Sequence, residues 1–218
     1  MATASATVHY QARAAFQRMI ARATTPPGLP SGRILLLLGE SSAGKTYLMR
    51  AFRNHVHSNG RGFVGYMRMT TAGANYGRYV LSNLIDSLDQ PYYESLSLTS
   101  SLVRLSNALA TRSMEGDLIE QLREDGELGF HDVAEAVDET TDRLVVRSRY
   151  ADTDVDLVRA LLFWQRDDPR IKTRILKYLR CEDLSDRDRA VLGGIVPKRD
   201  EEDPLRMVEH IGQRLTVL

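Results

Sequence analysis

The stretch Gly39-Glu40-Ser41-Ser42-Ala43-Gly44-Lys45-Thr46 restricts what this chain can fold into more than any other part of its sequence. It follows the apolar run Ile34-Leu35-Leu36-Leu37-Leu38. Beyond it Leu48, Ala51, Phe52 and Val56 recur at helical spacing until Asn59-Gly60 closes the segment. A continuous apolar run of this length is expected as a central parallel strand buried on both faces. Glycines at the two ends of the following loop let the backbone turn tightly and leave successive amide N–H groups free to point inward. The helix that begins at Lys45 brings the positive end of its dipole to the same place. Strand, glycine loop and helix in that order predict a cradle for a phosphate group.

The spacing G-x-x-x-x-G-K-[ST] is the Walker A pattern, and each fixed position has a mechanical task. Gly39 and Gly44 permit the turn. Lys45 supplies an ammonium for the β- and γ-phosphates, and the Thr46 hydroxyl takes one position in the octahedral shell of Mg²⁺. The expected ligand-binding residues are Gly39, Glu40, Ser41, Ser42, Ala43, Gly44, Lys45, Thr46 and Tyr47, with Thr46 as the metal ligand and ATP with Mg²⁺ as the cofactor. The residues that break the γ-phosphate bond are not identified. No run of apolar β-formers ends in Asp or Asp-Glu, because Leu84-Ile85-Asp86 and Leu118-Ile119-Glu120 lie on expected helices and Leu144-Val145-Val146 is followed by Arg147.

Around this motif the pattern alternates. Phe16, Met19 and Ile20 form one stripe of an amphipathic helix over residues 10–22, and the proline- and glycine-rich stretch 23–32 ends it. Residues 62–70 (GFVGYMRMT) are rich in β-formers and predict a second strand, followed by a loop at 71–75 and a helix over 76–88. The order βαβα implies an α/β core with parallel strands and flanking helices. After Pro91 nearly every segment has helical periodicity. Helices are expected over 101–112, 117–125, 131–140, 154–166, 169–180, 185–192 and from 204 onward. Asp168-Pro169 and Asp203-Pro204 place an acidic cap before a first-turn proline, Ser185 to Asp188 resembles a capping box, and Gly193-Gly194 is a helix stop. Residues 1–95 are thus expected to form a nucleotide-binding core, 96–202 a helical insertion, and 203–218 a helix leading on to a further strand.

Composition sets boundaries. The single cysteine, Cys181, forms no internal disulfide, the first residues lack a leader pattern, and the longest aliphatic run is far short of the ~20 residues that span a bilayer. A cytoplasmic protein with no membrane contact is expected. Charge divides along the chain: of 29 basic and 29 acidic residues, ten and one respectively fall in residues 1–80. The basic part either faces a polyanion, such as triphosphate or nucleic acid, or neutralises the acidic remainder. Arg68, Asn75, Tyr76 and Arg78 flank the loop after the second expected strand, where ligands of open α/β sheets collect. His9, His55, His57, His131 and His210 show no metal-ligand spacing with Cys181, and Trp164 lies in the apolar run with Leu161, Leu162 and Phe163.

From Arg33 to Thr46 the chain resembles the P-loop NTPases, and the helix before GESSAGKT resembles the approach to AAA+ and STAND ATPase modules. More faintly, YLRCEDLSDRDRAVL and DPLRMVEHIGQRL are similar to the helical region before Walker B in large ATPases of BREX-type phage-defence systems. These resemblances imply ATP-driven conformational change, often in a homo-oligomer, coupled either to nucleic acid or to partner proteins. Leu205, Val208, Ile211 and Leu215 form a helical stripe that runs out at Thr216-Val217-Leu218 without a cap. The expectation is therefore an N-terminal fragment of a larger ATPase. A P-loop kinase for a small molecule or nucleotide, and a non-hydrolysing ATP-binding interaction protein, are the alternatives.

Overall fold

The computed structural model describes residues 10–23, 35–59, 62–67, 75–91, 99–123, 130–146 and 154–214. Its secondary structure is helical, with α1 Tyr10–Ala23, α2 Lys45–Ser58, α3 Tyr76–Asp89, α4 Ser101–Ser113, α5 Gly116–Arg123 and α6 Phe130–Val145. These are followed by α7 Val155–Phe163, α8 Pro169–Leu179, α9 Asp186–Val191, α10 Asp203–Glu209 and a π-helical turn His210–Arg214. The chain divides into two compact units, Met1–Val64 and Gly65–Leu218.

The expected α/β core is overturned. Among the described residues there is no strand, and the isolated antiparallel bridge Pro91↔Ser100 joins the end of α3 to the start of α4. Leu36 is 70% and Leu38 85% exposed, so residues 35–38 are not a buried central strand, and residues 62–67 have no ladder either. The physical reason is the number of strands on offer. A parallel sheet satisfies its backbone only through neighbours on both sides, and a two-stranded pair is marginal in water. Beside these two segments the sequence offers as a third candidate only the short run Leu144-Val145-Val146, and Leu144 and Val145 close α6 as helix, so an apolar run alone does not make a sheet.

In the first unit α1 and α2 pack through Phe16 and Phe52, whose rings stack 4.0 Å apart and within 4° of parallel. Phe16, Leu48 and Val56 are buried, while Met19 and Ile20 are half-buried. The stripe read from the sequence is therefore the packed face of α1.

The second unit is built around α7. Leu157, Val158, Ala160, Leu161, Leu162 and Phe163 are all buried, while Asp156 and Arg159 lie on its half-buried side and pair with each other, Arg159 also with Asp138 of α6. The helix packs against α4, α6 and α8, and α3 packs against α4 and α10. Trp164, just past its end, is 5% exposed. Beside it, Gln165 donates to Ser106 and Asn107 of α4, while the Arg123 guanidinium of α5 donates to the Gln165 Oε1 at 2.9 and 3.1 Å. The Ser106 hydroxyl in turn donates to the Leu161 carbonyl. Three helices are thereby locked in register by a polar network whose members are all bonded.

Local chemistry places the helix ends. Asn75 caps α3, Ser100 caps α4, Asp154 caps α7, and Asp168 ahead of Pro169 caps α8. Ser185 and Asp188 form the expected capping box, and the Asp188 carboxylate also binds Arg174 at 2.8 Å, tying α9 to α8. Gly193 and Gly194 stop α9 at φ +68° and +82°, conformations that cost a glycine little. At α10 the expectation shifts. Asp203 is the first helical residue rather than the cap, because its carboxylate ties back to the Asp200 N–H at 2.9 Å and the preceding turn already sets its backbone. The buried face of that helix is Pro204 and Met207, continued by Ile211, whereas Leu205 is 55% exposed and lies over the Gly77 backbone.

Candidate functional site

The loop before α2 folds back on its own lysine. Ala43 N–H donates to the Glu40 carbonyl at 3.2 Å, which closes the turn, and Gly44 takes φ +76° immediately before the first helical residue. Without a side chain at Gly39, the loop comes close enough that a Cβ there would stand 3.3 Å from the Ala43 Cβ and 4.0 Å from the Lys45 Nζ. The Lys45 ammonium donates to the Gly39 carbonyl at 2.6 Å and also to the Glu40 carbonyl. One cation is thus curled inside the loop that is expected to receive a phosphate.

The helix that follows is ready to attract an anion. Gly44 offers no capping side chain and the first turn of α2 has no acidic residue, so neither a cap oxygen nor a carboxylate offsets the positive end of the dipole. The first intrahelical bond from this end runs from the Leu48 N–H to the Gly44 carbonyl at 2.9 Å. The amides of Lys45, Thr46 and Tyr47 precede it and have no carbonyl a turn behind them within the helix.

All nine expected ligand residues lie on this one turn and helix start. Gly39, Glu40, Ser41, Ser42, Ala43, Thr46 and Tyr47 are exposed, and Gly44 and Lys45 are half-buried. Sequence reasoning assigned the tight backbone to the glycines alone. Ser42 is also left-handed, at φ +66°, and nothing about serine announces that. A non-glycine residue in this region costs about 1–2 kcal/mol, a strain that tends to collect at ligand-binding turns. For a divalent ion, the described residues hold no cluster of three His, Cys, Asp or Glu side chains. A magnesium ion on this loop would therefore be held by the Thr46 hydroxyl together with phosphate oxygens and water, the coordination usual for this metal.

The remaining singled-out residues scatter. Arg68 and His9 lie outside the described residues. Asn75 spends its side chain capping α3, accepting from the Arg78 N–H at 2.9 Å, and Tyr76 is 48% exposed. Arg78, in the first turn of α3, lines a cavity with Cys181, Asp183, Lys198 and Arg199. Those four companions carry no motif, and they come together only because α3, the end of α8 and the segment before α10 meet in space. His55 contacts Asn59 at the end of α2 and is exposed, as is His131. Among the described residues no helix is long and apolar enough to cross a membrane. Comparison of the chain with protein-family models, with curated proteins and with solved structures found no match in any of the three.

Proposed function

We propose that the chain binds a nucleoside triphosphate, ATP with Mg²⁺, through the loop from Gly39 to Thr46, and that it serves as a nucleotide-dependent switch or motor module of the AAA+/STAND type. The observation that carries this reading is the Lys45 ammonium folded within the loop, at the start of a helix with neither a capping side chain nor a first-turn carboxylate. A phosphate group entering the turn meets backbone N–H groups from the helix start and draws the ammonium from two carbonyls to charged oxygens. The exchange favours the ligand because bonds between two charged groups are roughly twice as strong as those to neutral acceptors. Thr46 supplies the metal-side hydroxyl. Turnover makes separate demands, namely an acidic group at the metal and a group that orients water. Partner proteins, further copies of the chain or nucleic acid are the proposed recipients of the switch. The first unit supports a polyanionic partner, since residues 1–64 carry eight Lys and Arg against Glu40 alone.

Titration calorimetry with ATP and Mg²⁺ tests the proposal. Lys45→Ala removes one charge-assisted contact worth about 1.5–3 kcal/mol, so the affinity is expected to fall roughly 10- to 150-fold. Far-UV circular dichroism should be unchanged, because Lys45 bonds only within its own loop. Equal affinity for the variant and the parent chain would remove the loop as the triphosphate site.

A further inference from the structure

The cavity lined by Arg78, Cys181, Asp183, Lys198 and Arg199 lies wholly within the second unit and has a volume of about 420 Å³. That is within the span of roughly 300–1,000 Å³ usual for sites of small molecules. Its wall carries three cations against the single carboxylate of Asp183. The cations differ in how firmly they are held. Lys198 Nζ lies 2.6 Å from Asp154, and the pair is largely shielded, with side chains 26% and 13% exposed. Burial works against the Lys198 charge, but the Asp154 carboxylate outweighs it and raises the pKa above the ordinary lysine value, so the ammonium is fixed in place and charged. Arg199 meets Asp183 at 3.2 Å in a pair exposed on both sides, the kind worth little in water and readily exchanged. Arg78 has no carboxylate partner among the described residues, and its exposed guanidinium offers a planar fork of donors.

The backbone holds this arrangement firmly. Arg180 pairs with Asp86 and so clamps α3 against the end of α8. The next residue, Cys181, is forced to φ +53°, with its N–H on the Tyr178 carbonyl at 2.9 Å. For a residue with a Cβ this conformation is strained, and such strain concentrates where a chain is shaped around a ligand. The buried thiol adds a less polar surface beside the three cations.

We propose that this cavity binds a small phosphomonoester, with the Arg78 and Arg199 guanidiniums and the Lys198 ammonium on the phosphate and the space beside Cys181 taking the organic part. Arg78 supplies the uncompensated positive charge, Arg199 exchanges a weak surface partner for the ligand, and the guanidinium forks match phosphate oxygens in pairs. The volume exceeds what a free phosphate ion needs, which favours the ester.

Cys181 is the single cysteine of the chain and is buried in the cavity wall, so iodoacetamide reaches it when that wall opens, and a ligand that bridges the wall slows its alkylation. The rate is measured on the full chain at constant ionic strength with glycerol 3-phosphate, inorganic phosphate or glycerol, and glycerol 3-phosphate affinity is measured in parallel by calorimetry. Glycerol 3-phosphate is expected to slow the reaction saturably, at a lower concentration than inorganic phosphate, with glycerol inert. Lys45→Ala should behave as the parent chain. Arg78→Gln and Arg199→Gln, both at exposed positions, should each raise the half-saturating concentration about tenfold. Protection by inorganic phosphate at equal or lower concentration would overturn the ester, and protection that is absent, unaltered by both arginine variants or dependent on Lys45 would overturn the site.

Discussion

Asp154 carries more of the second unit than its place at a helix end suggests, and its replacement by alanine has a calculable cost. The carboxylate accepts the Leu157 N–H at 3.1 Å as the cap of α7, the Lys198 ammonium at 2.6 Å and the Tyr178 hydroxyl at 3.4 Å. Loss of an Asp cap costs about 1 kcal/mol. Loss of the charge-assisted bond to Lys198 costs about 2 kcal/mol more, taken toward the lower part of the usual span because a quarter of the lysine side chain meets solvent. Asp154→Ala is therefore expected to destabilise the unit by about 3 kcal/mol, and, at roughly 2–4 °C per kcal/mol for a unit of this size, to lower Tm by about 6–12 °C. Asp154→Asn separates the two contributions. An asparagine still caps, so that variant should lose only about 2 kcal/mol. Lys198→Met in the Asp154→Asn background should then cost little more, because the pair has already been broken. Urea unfolding followed at 222 nm measures all four chains. Equal loss in the alanine and asparagine variants would show that the cap contributes nothing, and a loss in the double variant equal to that of Asp154→Asn plus that of Lys198→Met alone, measured as a fifth chain, would show that the ion pair does not exist in solution.

Three further outcomes follow from the same geometry. Gly44→Ala places a Cβ at φ +76° and should weaken ATP binding at least fivefold in calorimetry while costing about 1–2 kcal/mol of stability, although Lys45 is untouched; wild-type affinity would mean that the loop conformation is irrelevant to the ligand. Gln165→Leu strips the bonds to Ser106 and Asn107 and leaves the Arg123 fork short of an acceptor, so chemical denaturation should report a loss of about 1–3 kcal/mol, and a neutral result would refute the network between α4, α5 and α7. Stability should hold level across neutral pH and fall at both extremes. Burial raises the Asp154 pKa less than the Lys198 ammonium and the Leu157 N–H lower it, so its contribution is full above the ordinary value of 3.8 and disappears as pH falls through its depressed folded pKa. Lys198, raised above its ordinary 10.5 in the balance of burial against the same pair, keeps its contribution below that value and loses it as pH rises through the folded pKa. Tm measured from pH 2 to 12 should show both edges, and Asp154→Asn should weaken each.

How far the sequence could be read depended on whether the signal was local. Helix caps are short-range chemistry, so Asp168-Pro169, the Ser185 to Asp188 box and the Gly193-Gly194 stop could be read directly from neighbouring residues. The turn at residues 39–44 was legible for the same reason, since a glycine spacing defines its tight backbone without reference to anything distant, and its proposed phosphate ligand rests on the same local motif. A sheet is different. Its backbone bonds belong to other strands, and the run at residues 34–38 carries the composition of a buried strand while Leu36 and Leu38 stand exposed. The same hydrophobicity that suggested burial is satisfied only if partners exist, and no pattern within the run encodes them. The cavity beside Cys181 was invisible for a related reason, as Arg78 lies more than a hundred residues from Lys198 and Arg199. Asp86 and Arg180, which clamp the two sides together, each read as an ordinary surface charge on its own helix. The two proposed anion sites stand at opposite ends of legibility, one written in eight consecutive residues and one assembled by packing. Because Lys45 and Arg78 share no bond, element or unit, ligand affinity at each can be abolished separately, and only a linked loss would show that the chain couples them.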